Sequence, residues 1–145
     1  MDVLQKLDAV EELKKVKARY FRFVDTKQWN ELKELFTEDA AFDGVSGGMG
    51  EISGRDDFVA KAEAGLLNCV SVHHGHCPEI ELTSETSATA IWPMEDMLRW
   101  AEDSGSPVRE LHGMGHYHDT FRKVGGVWKI ASWKLTRLRV DVVPA

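Results

Sequence analysis

The chain has 145 residues, with 18 Lys plus Arg against 24 Asp plus Glu, for a formal net charge of −6. That charge repels a polyanionic backbone, so nucleic acid is not an expected partner, and no run reaches the roughly 18 uninterrupted apolar residues of a membrane span. At this length one domain spanning 1–145 is expected, burying about 70% of the surface its unfolded chain would expose.

The opening MDVLQKLDAVEELKK is charged from its second residue and lacks the basic stretch, apolar block and cleavage site of a secretory signal, so a cytoplasmic protein is expected. Cys69 and Cys77 are too few for a disulfide framework and read as inert packing in a reducing compartment. From Leu4 to Val24 the apolar positions Leu7, Val10, Leu13, Val16, Tyr20 and Val24 recur every three or four residues, the period of one helical face. Asp25-Thr26-Lys27-Gln28 matches a capping box and introduces a second helical pattern through Trp29, Leu32, Leu35 and Phe36. Residues 43–54, DGVSGGMGEISG, carry five glycines and read as a loop or hairpin, and Arg55 to Leu67 reads as a third helix weakened by Gly65.

From about Val70 the period becomes two. ATAIWPMEDMLRW, HGMGHYHDTFRKV and WKIASWKLTRLRV are long strand-like runs separated by SGSP and GG turn signals. Helices followed by strands predict an α+β fold, with N-terminal helices packed on an antiparallel sheet.

Strict alternation puts Asp96 on the same face as Ala88, Ala90, Trp92, Met94, Leu98 and Trp100, a carboxylate among apolar neighbours. By the same parity Arg137 ends a row formed by Ala131, Trp133 and Leu135. Such groups are costly to bury unless paired or set in a polar cavity, so a structural ion pair and a functional role weigh equally. Tyr20 lies on the first helical stripe, where most tyrosines are core residues with a satisfied hydroxyl, and Asp25 is accounted for by the cap.

VHHGHCPE, residues 72–79, crowds His73, His74 and His76 beside Cys77, and alternation sets Cys69, Ser71 and His73 on the face opposite Val70 and Val72. Histidine is both the commonest metal ligand and the side chain that titrates near neutral pH, so metal and acid–base readings are both open. His112, His116 and His118 lie on a strand-like run, where positions four apart are separated by about 13 Å, too far for one ion. A metal enzyme is the minority reading.

YFRFVD, with Tyr20 and Asp25 five apart, followed by QWNELKELFTEDA, resembles the nuclear transport factor 2-like superfamily, in its SnoaL-like branch. VHHGHCPEIELTSETSATAIWPMEDMLRW and GHYHDTFRKVGGVWKIASWKLTRLRV look like the histidine strand, hairpin and closing strands of bacterial bile-acid 7α-dehydratases, with scytalone dehydratase a more distant relative. Where those dehydratases carry further tyrosines or other donors, this chain has AAFDGVSGGMG. The resemblance implies a cone-like α+β barrel enclosing a pocket whose polar lining is Tyr20, Asp25, His73, Asp96 and Arg137. Trp92, Met94, Tyr117 and Trp133 are then the substrate-contacting candidates. It also implies catalysis without metal or organic cofactor: elimination of water from a cyclic or polycyclic hydroxy-ketone, or a related isomerisation. Such chemistry needs a base for the acidic C–H, donors for the enolate and an acid for the leaving hydroxide, which His73, Tyr20 and either Asp25 or Asp96 as the imidazole's partner would supply. The expected partners are a small hydrophobic substrate and a second or third copy of the chain. The alternative is a non-catalytic module of the same fold that holds a small ligand or a protein.

Overall fold

A computed structural model describes all 145 residues, and the expected α+β layering is what it shows. Helix α1 (Val3–Asp25) runs into the short α2 (Trp29–Glu34), strand β1 (Phe36–Asp43) and helix α3 (Gly54–Gly65). Then come β2 (Cys69–Gly75), β3 (Glu79–Leu82), β4 (Ser87–Trp100), β5 (Val108–Val124) and β6 (Val127–Pro144). No helix is long and apolar enough to cross a membrane.

The capping box exists, but one helix earlier than expected. Asp2 is the N-cap of α1: its carboxylate accepts from the Gln5 backbone N–H, and Gln5 Oε1 accepts from the Asp2 N–H, both at 2.8 Å. At residues 25–28 the same Asp-x-x-Gln spacing forms no cap, because Asp25 is still helical, Thr26 is the C-cap and Lys27 turns the chain at φ +59°. Gln28 precedes α2 with no side-chain cap, so the Asp25 carboxylate is left free to face the sheet. The buried stripe of α1 runs through Ala9, Leu13, Val16, Lys17, Tyr20, Phe21 and Val24, while Leu7 is exposed.

Six strands form one sheet in the order β1-β6-β5-β4-β2, with β3 also pairing with β4. It is mixed, since β1, which hides in sequence behind the helical spacing of Leu35 and Phe36, pairs parallel to β6. The sheet curves without closing, because β2 and β3 at one side have no further strand partner and β1 at the other makes, beyond β6, only the single Phe42–Ile52 bridge. Pro93 sits where β4 changes neighbours, between the stretch paired to β3 (88–91) and the stretch paired to β2 (94–100), so its missing N–H costs little.

Alternation holds along β4, whose Ala88, Ala90, Trp92, Met94 and Asp96 are all buried. It fails in β6 at a bulge: Phe121 pairs with Ile130 but Thr120 with Ser132, so Ile130 and Trp133 both point inward and Ala131 leaves the row expected for it. A second bulge skips Leu138, between pairs Gly115–Arg137 and Met114–Arg139. Gly115 approaches the Thr136 carbonyl so closely that no Cβ would fit.

Beneath the helices, Lys17 and Asp119 form an ion pair at 2.8 Å, and both side chains are wholly buried. The Lys17 ammonium lies 3.7 Å from the Tyr117 ring centroid and 4.4 Å from that of Tyr20. Burial pushes the amine down and the carboxyl up, each toward its neutral form, against the attraction between the two. Lys17→Met leaves Asp119 unpaired and is expected to lower unfolding stability by about 3–5 kcal/mol, whereas Lys17→Met with Asp119→Leu recovers most of that loss. Denaturant melts of the three proteins check both values.

Candidate active site

Six elements converge on one hollow. Tyr20 and Val24 come from α1, Phe58 and Ala62 from α3, His73 from β2, Asp96 and Leu98 from β4, Tyr117 from β5, and Leu135 and Arg137 from β6. Gly47, Gly48 and Met49 of the glycine-rich loop form part of the wall, and the cavity measures about 510 Å³. Thus Tyr20, His73, Asp96, Arg137 and Tyr117 line the same space.

Asp25 is not part of the lining but stands behind His73. Its Oδ1 lies 2.6 Å from His73 Nδ1 and its Oδ2 accepts from the His73 backbone N–H at 2.7 Å. An ionised carboxylate only accepts, so beside it Nδ1 carries the ring proton, and in the neutral imidazole Nε2 keeps its lone pair. The imidazole is 10% exposed, sheltered yet reachable. The polar face of β2 is therefore the inward one: Cys69 and Ser71 are buried and Val70 faces out. Ser71, which shares His73's parity but had no assigned role, donates from Oγ to Asp25 Oδ1 at 3.0 Å, and Lys27 Nζ donates to Ser71 Oγ at 2.9 Å.

His73 and Asp96 are directly opposed across β2 and β4, and Asp96 in turn opposes Gly113 of β5. At Gly113 a Cβ would collide with Asp96 Oδ1 and Arg137 Nη1, so its bare Cα leaves the gap across which Arg137 reaches from β6. The guanidinium grips Asp96 with two bonds, Nη1–Oδ1 at 2.7 Å and Nη2–Oδ2 at 2.9 Å. Burial pulls the guanidinium's pKa down, and the bonds to Asp96 more than restore it. With both oxygens engaged, Asp96 is not the partner of His73; Asp25 is.

Three expected substrate contacts are placed elsewhere. Met94 lies behind the ion pair, with Sδ 3.7 Å from Arg137 Nη1. Trp133 packs edge-on beneath Tyr117, Phe42 and Phe58, with centroids 5.5–5.7 Å apart. Trp92 is core, bordering a second hollow beside Lys14, Ala18 and Phe21 that His73 also lines. All three point inward as alternation requires, but inward here means packed core, and only Tyr117 reaches the cavity.

The remaining histidines lie outside the cavity. His112 Nε2 contacts Glu95 Oε1 at 2.5 Å, His76 sits 3.8 Å from the other oxygen of Glu95, and no group of three His, Cys, Asp or Glu side chains is arranged to hold a metal ion.

Residues 5–134 match the family model of the SnoaL-like domain. A probable cyclase of Gibberella zeae is 29% identical over 142 residues, covering 90% of this chain and 92% of that protein. A putative scytalone dehydratase from Novosphingobium aromaticivorans superposes with a TM-score of 0.85 at 22% identity, over 98% of this chain and 92% of that one. A hexachlorocyclohexane dehydrochlorinase from Novosphingobium barchaimii superposes with a TM-score of 0.81 at 15% identity, over 98% and 94%. The fold is thus one that small-molecule-converting enzymes use.

Tyr20 and Tyr117 are the chain's two tyrosines, and their hydroxyls stand 3.5 Å apart. Burial pushes both phenols well above the ordinary tyrosine value, with the nearby acidic groups adding to it. Because the folded values exceed the unfolded one, this contribution to stability is complete below about pH 10 and is lost as pH rises toward the folded values. In an alkaline titration, phenolate absorbance is expected to stay silent until the fold opens and then to appear for both residues together; smooth ionisation of either phenol near pH 10 in folded protein contradicts the burial described.

Proposed function

The chain belongs to the SnoaL-like domain family, and from that premise we propose that it is a carbon–oxygen lyase, a dehydratase, or a closely related isomerase, acting on a cyclic or polycyclic hydroxy-ketone. The observation that carries this reading is the Asp25–His73 contact at 2.6 Å, which leaves Nε2 as a free base at an apolar cavity that also holds two phenols. A volume of about 510 Å³ suits a small apolar ligand. The names of the structural neighbours, a dehydratase and a dehydrochlorinase, denote eliminations.

In the proposed reaction, His73 Nε2 takes the proton from the carbon α to the carbonyl, and the C–H electron pair becomes an enolate. Tyr20 and Tyr117, protonated at neutral pH, donate to the enolate oxygen. The imidazolium, stabilised by Asp25, returns its proton to the β-hydroxyl as the C–O bond breaks, and the electrons form the new C=C bond while water leaves. Returning the proton to a different carbon gives the isomerase instead. Arg137, held by Asp96, sets a fixed positive charge on the wall. These side chains supply base, acid and oxyanion donors between them. The outward faces of Val70, Leu138, Val142 and Val143 are exposed and apolar, which supports a homodimer or homotrimer.

His73→Ala and Asp25→Asn are each expected to lower kcat by about 10²–10⁴-fold on a cyclic β-hydroxy-ketone followed by enone absorbance, with the thermal midpoint nearly unchanged. Rates no higher than buffer in wild type and both variants alike would favour a binding module, and loss of folding in both would make the pair structural.

A further inference from the structure

The hydrogen bonds behind His73 run in one direction. Asp25 accepts from the His73 backbone N–H and the Ser71 hydroxyl, and its Oδ1 lies 2.6 Å from His73 Nδ1, which donates when the carboxylate is ionised. The serine has one proton and two lone pairs, and an ammonium only donates. Lys27 Nζ, at 2.9 Å, therefore occupies a lone pair of Ser71 Oγ and leaves the single hydroxyl proton for Asp25. Donation from the Ser71 hydroxyl and the His73 backbone N–H suits a carboxylate that only accepts. An anionic Asp25 in turn holds the ring proton of His73 on Nδ1.

Lys27 is the left-handed residue that ends α1: its N–H donates to the Val24 carbonyl at 3.2 Å and the Gln28 N–H donates to the Phe23 carbonyl at 2.8 Å. It sits at φ +59°, the left-handed region that costs a residue with a side chain about 1–2 kcal/mol, at the turn directly after α1. Thr26 holds the turn as well, with its Oγ1 donating to the Arg22 carbonyl at 2.6 Å. The half-buried ammonium gives its side-chain bond to a neutral hydroxyl, and burial depresses its pKa.

We propose that Lys27 and Ser71 are positioning residues, which hold Asp25 anionic and His73 in its Nδ1–H tautomer through the chain Lys27→Ser71→Asp25←His73. This rests on the reading that His73 is the base, and it adds how that base is kept ready. Neither residue touches the substrate.

Nitrogen NMR of the imidazole ring tests it in resting protein without substrate, with the His73 signals assigned by their loss in His73→Gln. Wild type is expected in the Nδ1–H form. Ser71→Ala and Lys27→Met are expected to gain a measurable Nε2–H population, and kcat is expected to fall about tenfold at unchanged KM, the scale of one lost bond to a charged group. Lys27→Arg, which restores a donor, is expected to return both readings toward wild type. A tautomer ratio unchanged in both Ser71→Ala and Lys27→Met overturns the inference even if their stability falls. A shifted ratio in a protein that turns over no hydroxy-ketone upholds it and removes only the proposed reaction.

Discussion

The contact between the Asp25 carboxylate and the His73 imidazole ties the end of α1 to the middle of β2, and the proposed reaction takes its base from it. It is built at an unfavourable place, because the last turn of a helix carries the negative end of the backbone dipole and disfavours a carboxylate. Three donors from β2 offset that cost for an ionised Asp25, two of them from His73 itself. The length of α1 therefore matters as much as its amphipathic stripe: one residue fewer would rotate the carboxylate away from β2. Tyr20, on the buried stripe of the same helix, is carried to the cavity floor by the same register.

Across the sheet the polar groups form a row. His73 on β2 stands beside Asp96 on β4, and the next position, Gly113 on β5, is left bare so that Arg137 can span from β6. Two carboxylates thus meet opposite fates: Asp96 is locked by a bidentate guanidinium, and Asp25 is left to serve the imidazole. A fully buried lysine and aspartate lie under the two phenols, so the floor is polar beneath an aromatic surface. The site depends on a sheet that tolerates charge inside because each charge has a specific partner.

Much of this could be read from residue order. The period of α1, the alternation of β4 and the inward placement of Asp96 follow from spacing alone, and the resemblance of separate motifs in order identified the branch. What could not be read depended on contacts distant in sequence. The Asp-x-x-Gln spacing occurs at 2–5 and at 25–28, and only the position of the helix end decides which of them caps. The bulge at Ala131 breaks parity without a glycine or proline to announce it. Trp92, Met94 and Trp133 satisfy the inward pattern, yet alternation cannot tell a packed core from a cavity wall. Gly113 and Ser71 carry no signal until their neighbours across the sheet are known.

The central claim is that His73 Nε2 removes a proton from carbon beside a carbonyl held near two phenols. Exchange of the α-hydrogens of the bicyclic ketone β-tetralone in deuterium oxide tests that step by itself, because the ketone has no hydroxyl to lose. The account predicts that wild type accelerates exchange well above buffer and that His73→Gln returns it to the buffer rate. Equal exchange rates for the two proteins would contradict it.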